Sequence, residues 1–236
     1  MSDVLYIVIP AYNEEENIGK VLDQWLPVLD FAGPESRLIV INDGSKDRTG
    51  KIIDQYAEQH SRVISITKPN SGHGPTCYFG YAYALKHGAD WIFQTDSDGQ
   101  TVPEDFKKFW KLRKQHDIIV GHRKKRQDGL SRIMVTKVLQ FSLLFIFGAW
   151  ITDANTPFRL MKGSLLSRYM KRIKETYSLP NVLICAQAVL NKDRIIWLPI
   201  TFLSRQGGEN SINIRSICQS GLNFIKELIA YRKEKG

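Results

Sequence analysis

Little in this 236-residue chain marks a secreted, fibrous or membrane-spanning protein. Its three cysteines, Cys77, Cys185 and Cys218, are an odd number at wide spacing. That argues against a disulfide framework and against a cysteine zinc site. Buried, inert thiols in a reducing compartment fit better. No basic segment precedes an apolar run at the N-terminus, so no secretory leader is expected. No apolar run reaches the roughly 18–20 residues of a membrane span. The longest candidate, Val138–Trp150, is short and carries Gln140 and Ser142. Internal repeats and low-complexity stretches are missing. The five histidines, His60, His73, His87, His116 and His122, share no metal-ligand spacing and receive no ligand role. Gly72-His73-Gly74 could cradle phosphate, yet it lacks both the Gly-Lys-Ser/Thr of a P-loop and the dinucleotide fingerprint.

What the chain has is ordinary globular composition, 43% hydrophobic and 24% charged, with a net charge of +9. At roughly 150 residues per domain, one α/β domain over residues 1–236 is expected. The charge points to an anionic partner: nucleic acid, anionic lipid or a phosphorylated substrate. Nucleic acid is the poorest fit. The basic run His122–Arg126 has no interleaved aromatics and no reader motif.

The first half alternates strands and helices. Val4–Ile9, Arg37–Ile41, Val63–Ile66, Trp91–Gln94 and Asp117–Val120 read as buried strands. Between them, Ile18, Val21, Leu22, Trp25 and Leu29 recur at helical spacing, as do Ile52, Ile53 and Tyr56. Asn13 with Glu16 predicts a capping box, Asp47 or Ser45 a second cap, and Pro75 a helix start. Such alternation implies a mainly parallel sheet. Ligands of these sheets bind outside the strands' carboxyl ends. Four polar segments therefore form one expected site: Pro10–Glu14, Asn42–Ser45, Lys68–Gly74 and Asp96–Gln100. In the second half, Ser131–Trp150 predicts a helix with a polar stripe of Arg132, Thr136 and Gln140. Leu179–Leu190 and Ser216–Tyr231 predict two more helices, and Ile195–Leu203 a strand.

Asp96-Ser97-Asp98 places two carboxylates just past a buried strand, where they can hold Mg²⁺ or Mn²⁺, with Gln100 offering a carbonyl oxygen. The same turn could simply cap the helix beyond it. Asp43, at a strand end, can accept hydrogen bonds from a base or close a tight turn. His122–Arg126, with Arg205 and Arg215, can meet a diphosphate or anionic lipid, or lie solvated. Asp153, in a Pro-containing loop, is either a base or a turn cap.

In combination and order, these motifs resemble the inverting family 2 glycosyltransferases: Ile9-Pro10-Ala11-Tyr12-Asn13-Glu14-Glu15, Asn42-Asp43-Gly44-Ser45, Asn70-Ser71-Gly72-His73-Gly74 and Asp96-Ser97-Asp98-Gly99-Gln100. Within that family the chain is similar to polyprenyl-phosphate sugar transferases. Val120-Gly121-His122-Arg123 looks like their Gly-x-Arg. Ser131–Trp150 looks like their membrane-interface helix, and Asp153–Arg159 like their acceptor loop. Arg205, Gly208 and Ser211 resemble their flap, with one extra residue and Ile212 in place of a lysine.

The resemblance implies a GT-A, Rossmann-like fold: a mainly parallel sheet flanked by helices, with a C-terminal helical extension. It divides the chain into a nucleotide-sugar half (1–121) and an acceptor half (122–236). Pro10, Ala11, Tyr12, Glu14, Asp43, Asp96, Ser97 and Arg123 are the implied donor-binding residues. Asp96, Asp98 and Gln100 are the implied metal ligands, for Mg or Mn. Asp98, Asp153 and Arg205 are the implied catalytic residues. The partners would be a nucleotide diphosphate sugar and a lipid phosphate or glycan hydroxyl. An anionic, cytoplasmic membrane face would hold the chain peripherally, as a monomer or homo-oligomer.

Overall fold

The computed structural model describes residues 3–123, 129–204 and 214–233; along 129–136, 214–222 and at 233 it describes the helical backbone and not the side chains. The flap residues Arg205, Gly208, Ser211 and Ile212, and Lys124–Arg126 of the basic run, lie outside this set.

Seven strands form one sheet in the order β3-β2-β1-β4-β6-β5-β7. They are β1 (Leu5–Ala11), β2 (Arg37–Asn42), β3 (Val63–Thr67), β4 (Trp91–Thr95), β5 (Ile118–Arg123), β6 (Phe158–Lys162) and β7 (Ile195–Ile200). Helices α1 (Ile18–Trp25), α2 (Thr49–Gln59), α3 (His73–Lys86), α4 (Phe106–Leu112), α5 (Gly129–Phe147), α6 (Gly163–Met170), α7 (Pro180–Leu190) and α8 (Ile214–Lys233) complete the chain. The five strands expected in the first half are all present.

Both faces of the sheet are covered, which is why its strands are apolar throughout. Leu5, Ile7 and Ile9 enter one core with α1, α2 and α4. Tyr6 and Val8 enter the other with α3, α6, α7, α5 and α8. Phe158 centres the first core. Its ring meets Phe93 and Phe109 edge-on, each at 4.8 Å, and Trp25 at 5.9 Å.

Three expectations need correction. The Asp153–Arg159 segment, read as a loop, runs into β6, which pairs antiparallel with both β4 and β5. Five residues give too short a period to distinguish a strand from a turn. The Asn13–Glu16 capping box does not form, because α1 begins only at Ile18, after Asn17. The polar stripe on α5 is also wrong at Gln140, which is buried, while Val138 (53%), Phe141 (48%) and Phe145 (80%) face outward. The helix runs from Gly129 to Phe147, ahead of Gly148 (φ +68°). Its inner side packs on α8, where Phe147 meets Tyr231.

The far edge of the sheet is tied by charge. Asp117, just before β5, accepts from Nε and Nη2 of Arg194, at 2.9 Å each, and faces Lys162 at 3.8 Å. Arg194 leads into β7 and Lys162 ends β6, so one carboxylate joins three strands. The Arg194 hydrogen bonds outweigh burial and lower the Asp117 pKa. A depressed folded-state pKa stabilises above the unfolded carboxylate range near 4, and that stabilisation is lost as pH falls through the folded value. Asp117→Asn should therefore lower Tm at neutral pH, and the gap to wild type should close as pH falls below about 4. A gap independent of pH would remove the ionic account.

Candidate functional site

Because β1, β2, β3 and β4 are parallel, their carboxyl ends open at one edge of the sheet. β6 runs opposite to β4 and β5, so its amino end, with the 153–157 loop, reaches that same edge. β5 and β7 are parallel and deliver Arg123 and Phe202 there. This places Pro10–Glu14, Asp43, Asp96–Gln100, Arg123 and Asp153 at a common edge.

The first two loops are clamped together. Asn13, at φ +53°, donates its amide to Ser45 Oγ at 3.0 Å, and its side-chain oxygen accepts the Lys46 amide at 2.8 Å. This is the work Asn13 does in place of capping. Glu14 is turned inward: its amide donates to Thr49 Oγ1, and its carboxylate accepts Asn17 Nδ2, both at 2.8 Å. Pro10 and Ala11 are buried and Tyr12 is exposed at 41%. A flat, accessible ring at a strand end suits stacking on a planar ligand.

Asp43 is 3% exposed and carries the third loop. Oδ1 accepts the Ser71 amide at 3.0 Å and the Lys68 ammonium; Oδ2 accepts the Gly72 amide at 2.9 Å. Lys68 also donates to Pro69 O and Ser71 Oγ, which uses all three of its N–H groups. Oδ2 has the freer lone pair for a ligand N–H. Gly44 (φ +69°) passes so near this loop that a Cβ would lie 2.8 Å from the Asn70 nitrogen. Sequence reasoning assigned no role to Lys68. Its proximity comes from β2–β3 pairing across 25 residues.

Asp96 and Asp98 occupy the turn after β4, closed by a 2.6 Å hydrogen bond between the hydroxyls of Thr95 and Thr101. Gly99 takes φ +70° there. Ser97 is buried. Burial raises the Asp96 pKa; the His73 imidazole opposes that and the Asp98 charge adds to it. His73 Nε2 lies 3.4 Å from the Cys77 sulfur and 3.7 Å from Asp96 Oδ1, and its pKa is raised by Cys77 first and Asp96 next. His73 also had no assigned role. Gln100 commits its side-chain nitrogen to Leu203 O at 2.9 Å, and its backbone carbonyl accepts the Leu203 amide. It thereby tethers the segment leading to residue 205. Among the described residues, no three His, Cys, Asp or Glu side chains cluster as a metal site. The carboxylates of Asp96 and Asp98 and the side-chain oxygen of Gln100 are hard oxygen donors, the kind that suits Mg²⁺ or Mn²⁺ sharing its shell with phosphate and water.

On the other side, Asp153 (φ +42°) is 5% exposed and grips Arg123. Arg123 Nη2 donates to Oδ1 at 2.6 Å, and Nε and the backbone amide donate to Oδ2 at 3.0 and 3.2 Å. The guanidinium also lies 5.1 Å from the Phe202 ring. Arg159, wholly buried, holds this loop from behind through the carbonyls of Ala154 and Thr156 and reaches Asn181 O. It was legible only as part of a motif.

Residues 6–170 match glycosyl transferase family 2. A dolichyl-phosphate beta-glucosyltransferase of Trichomonas vaginalis is 31% identical over 172 residues, 65% of this chain and 51% of its own. An undecaprenyl-phosphate 4-deoxy-4-formamido-L-arabinose transferase of Photorhabdus laumondii is 31% identical, covering 72% and 50%. The chain thus spans about half the length of both relatives. An undecaprenyl-phosphate mannosyltransferase of Micrococcus luteus is 26% identical over 96% of this chain and 95% of its own. In structure, glucosyl-3-phosphoglycerate synthase of Mycobacterium tuberculosis, solved with Mn²⁺, UDP-glucose and phosphoglyceric acid, superposes with TM-score 0.68 at 16% identity, covering 98% of this chain and 80% of that one. That likeness establishes a GT-A-like α/β fold.

The Asp43 contacts can be tested without a ligand. Asp43→Ala removes the acceptor of two loop amides, each worth about 1 kcal/mol. Hydrogen exchange at Ser71 and Gly72 should accelerate several-fold, read by mass spectrometry. Unchanged protection would show that the loop is held by other contacts.

Proposed function

The chain belongs to glycosyl transferase family 2, and on that premise we propose that it moves a hexosyl group from a nucleotide diphosphate sugar to a polyprenyl phosphate, with inversion and with a divalent metal. The observation that carries the acceptor half is the Arg123–Asp153 pair. Both Asp153 oxygens already accept N–H donors. A buried carboxylate held by three donors of one arginine is poorly placed to take a proton from a hydroxyl acceptor. A phosphate acceptor is already anionic and needs no base. Asp153 then acts by holding Arg123, and Arg123 offers a planar cation to a phosphate. The names of the relatives from T. vaginalis, P. laumondii and M. luteus point the same way.

In this reading Tyr12 stacks on the base, Asp43 Oδ2 accepts one of its N–H groups, and Pro10, Ala11 and Glu14 shape the walls. Asp96 and Asp98 would hold Mg²⁺ or Mn²⁺, with Gln100 offering its side-chain oxygen and Ser97 facing the donor. When bound, the metal neutralises charge on the leaving diphosphate. Arg205 adds a second cation to that charge. The acceptor phosphate oxygen forms a bond to the anomeric carbon as the bond to the diphosphate oxygen breaks, and the nucleoside diphosphate leaves. No proton need move.

A membrane surface is proposed for the lipid acceptor. No described helix is long and apolar enough to cross a bilayer. Val138, Phe141 and Phe145 nonetheless form an exposed stripe on α5, with Trp150 beside it and Lys137 over the Trp150 ring. Apolar residues beneath basic ones suit the interface of an anionic leaflet, here the cytoplasmic one.

Three experiments test this. Thermal shift against a panel of nucleoside diphosphates with and without Mn²⁺ should single out one base. Asp98→Asn should lose about 100-fold or more of the metal-dependent release of that nucleoside diphosphate while keeping its Tm. Near-normal turnover would remove the metal assignment. Wild type should float with anionic vesicles, less so in high salt, and Phe145→Glu should abolish flotation. If Phe145→Glu instead splits a dimer that never bound vesicles, the stripe is a subunit interface.

A further inference from the structure

Behind Asp96 stands a line of buried side chains that the mechanism above does not use. Asp96 Oδ1 accepts from Gln94 Nε2 at 2.8 Å. Gln94 Oε1 accepts from Asn181 Nδ2 at 3.1 Å. Asn181 Oδ1 accepts from the Tyr81 hydroxyl at 2.6 Å, and the Asn181 carbonyl accepts from Arg159 at 3.0 Å. Gln94 and Tyr81 are wholly buried and Asn181 is 3% exposed.

The polarity of this line is forced by chemistry. An ionised carboxylate only accepts, so Gln94 must present its nitrogen to Asp96 and its oxygen to Asn181. Asn181 must then present its nitrogen to Gln94 and its oxygen to the Tyr81 hydroxyl. Turning either amide would set acceptor against acceptor in a buried space and leave both unsatisfied. The Asp96 side chain is thereby fixed from β4, α3 and α7 rather than from its own turn alone. A neutral donor orients the carboxylate without cancelling its charge. A lysine in that place would compete with a bound cation.

We propose that Gln94 and Asn181 are positioning residues for Asp96, acting one and two hydrogen bonds away from it, with Arg159 anchoring the line. The proposal rests on the metal reading above and deepens it. Partners behind metal ligands typically contribute about 10–100-fold in metal affinity.

The test uses Mn²⁺ alone, titrated into the whole protein and followed by the electron paramagnetic resonance of free Mn²⁺. Gln94→Leu keeps the side chain's bulk and removes the donor. It should weaken Mn²⁺ binding about tenfold or more. Asn181→Leu, one link further back, should weaken it less. Gln187→Leu removes an equally buried amide that bonds Tyr169 O instead, and should leave Mn²⁺ affinity unchanged. That contrast separates positioning from general destabilisation. Equal affinity in wild type and Gln94→Leu overturns the line of positioning residues alone. Loss in Gln187→Leu to the same extent also overturns it. Failure of wild type to bind Mn²⁺ overturns the metal reading on which it rests. If Gln94→Leu does not fold, Asn181→Leu decides by the same criteria.

Discussion

A guanidinium with no exposed surface holds this site together. Burying a charge is costly unless it is fully hydrogen-bonded. Arg159 meets that demand with the carbonyls of Ala154, Thr156 and Asn181 and with the Cys185 sulfur. Those acceptors belong to two separate stretches, the 154–156 loop and the first two turns of α7. Satisfying one cation therefore fixes both. The loop carries Asp153 and so Arg123; the helix carries Asn181 and so the line to Asp96. The Arg159 charge also opposes the rise in Asp96 and Cys185 pKa that burial causes.

The rest of the site follows one pattern: its buried or half-buried carboxylates are matched before any ligand arrives. Asp43 has Lys68 and two amides. Asp153 has Arg123. Asp96 has a neutral amide donor and a half-exposed imidazole. Around Asp96 the partners are an amide and an imidazole 3.7 Å away, not a guanidinium or ammonium as at Asp43 and Asp153. The net charge of +9 is thus divided. Part of it is internal, and part lies where α5 presents Lys137 beside an apolar stripe.

Local sequence carried far in the first half and less far in the second. Strand–loop–helix alternation over residues 4–120 is a short-range signal, and the strands formed where it placed them. The rule that such loops gather at one sheet edge matches where β1, β2, β3 and β4 end. Local patterns misled where a partner far along the chain outweighed them. Asn13 has the right chemistry for a cap, but Ser45 and Lys46 lie across the gap and take its hydrogen bonds. Gln140 sits on a helical stripe with polar neighbours, yet packing around α5 buries it and exposes Phe145.

By itself, the sequence determined a parallel α/β sheet, the four polar loops, the acidic turn after β4 and the family resemblance. All of these are properties of short segments and their order. Only the tertiary structure decided which side chain grips which carboxylate. The reversal of β6 brings Asp153 within reach of Arg123, 30 residues away. The docking of α7 brings Asn181 to Gln94, 87 residues away. No periodicity encodes such meetings, because they depend on how separate segments share one buried space and on every polar group in that space finding a partner.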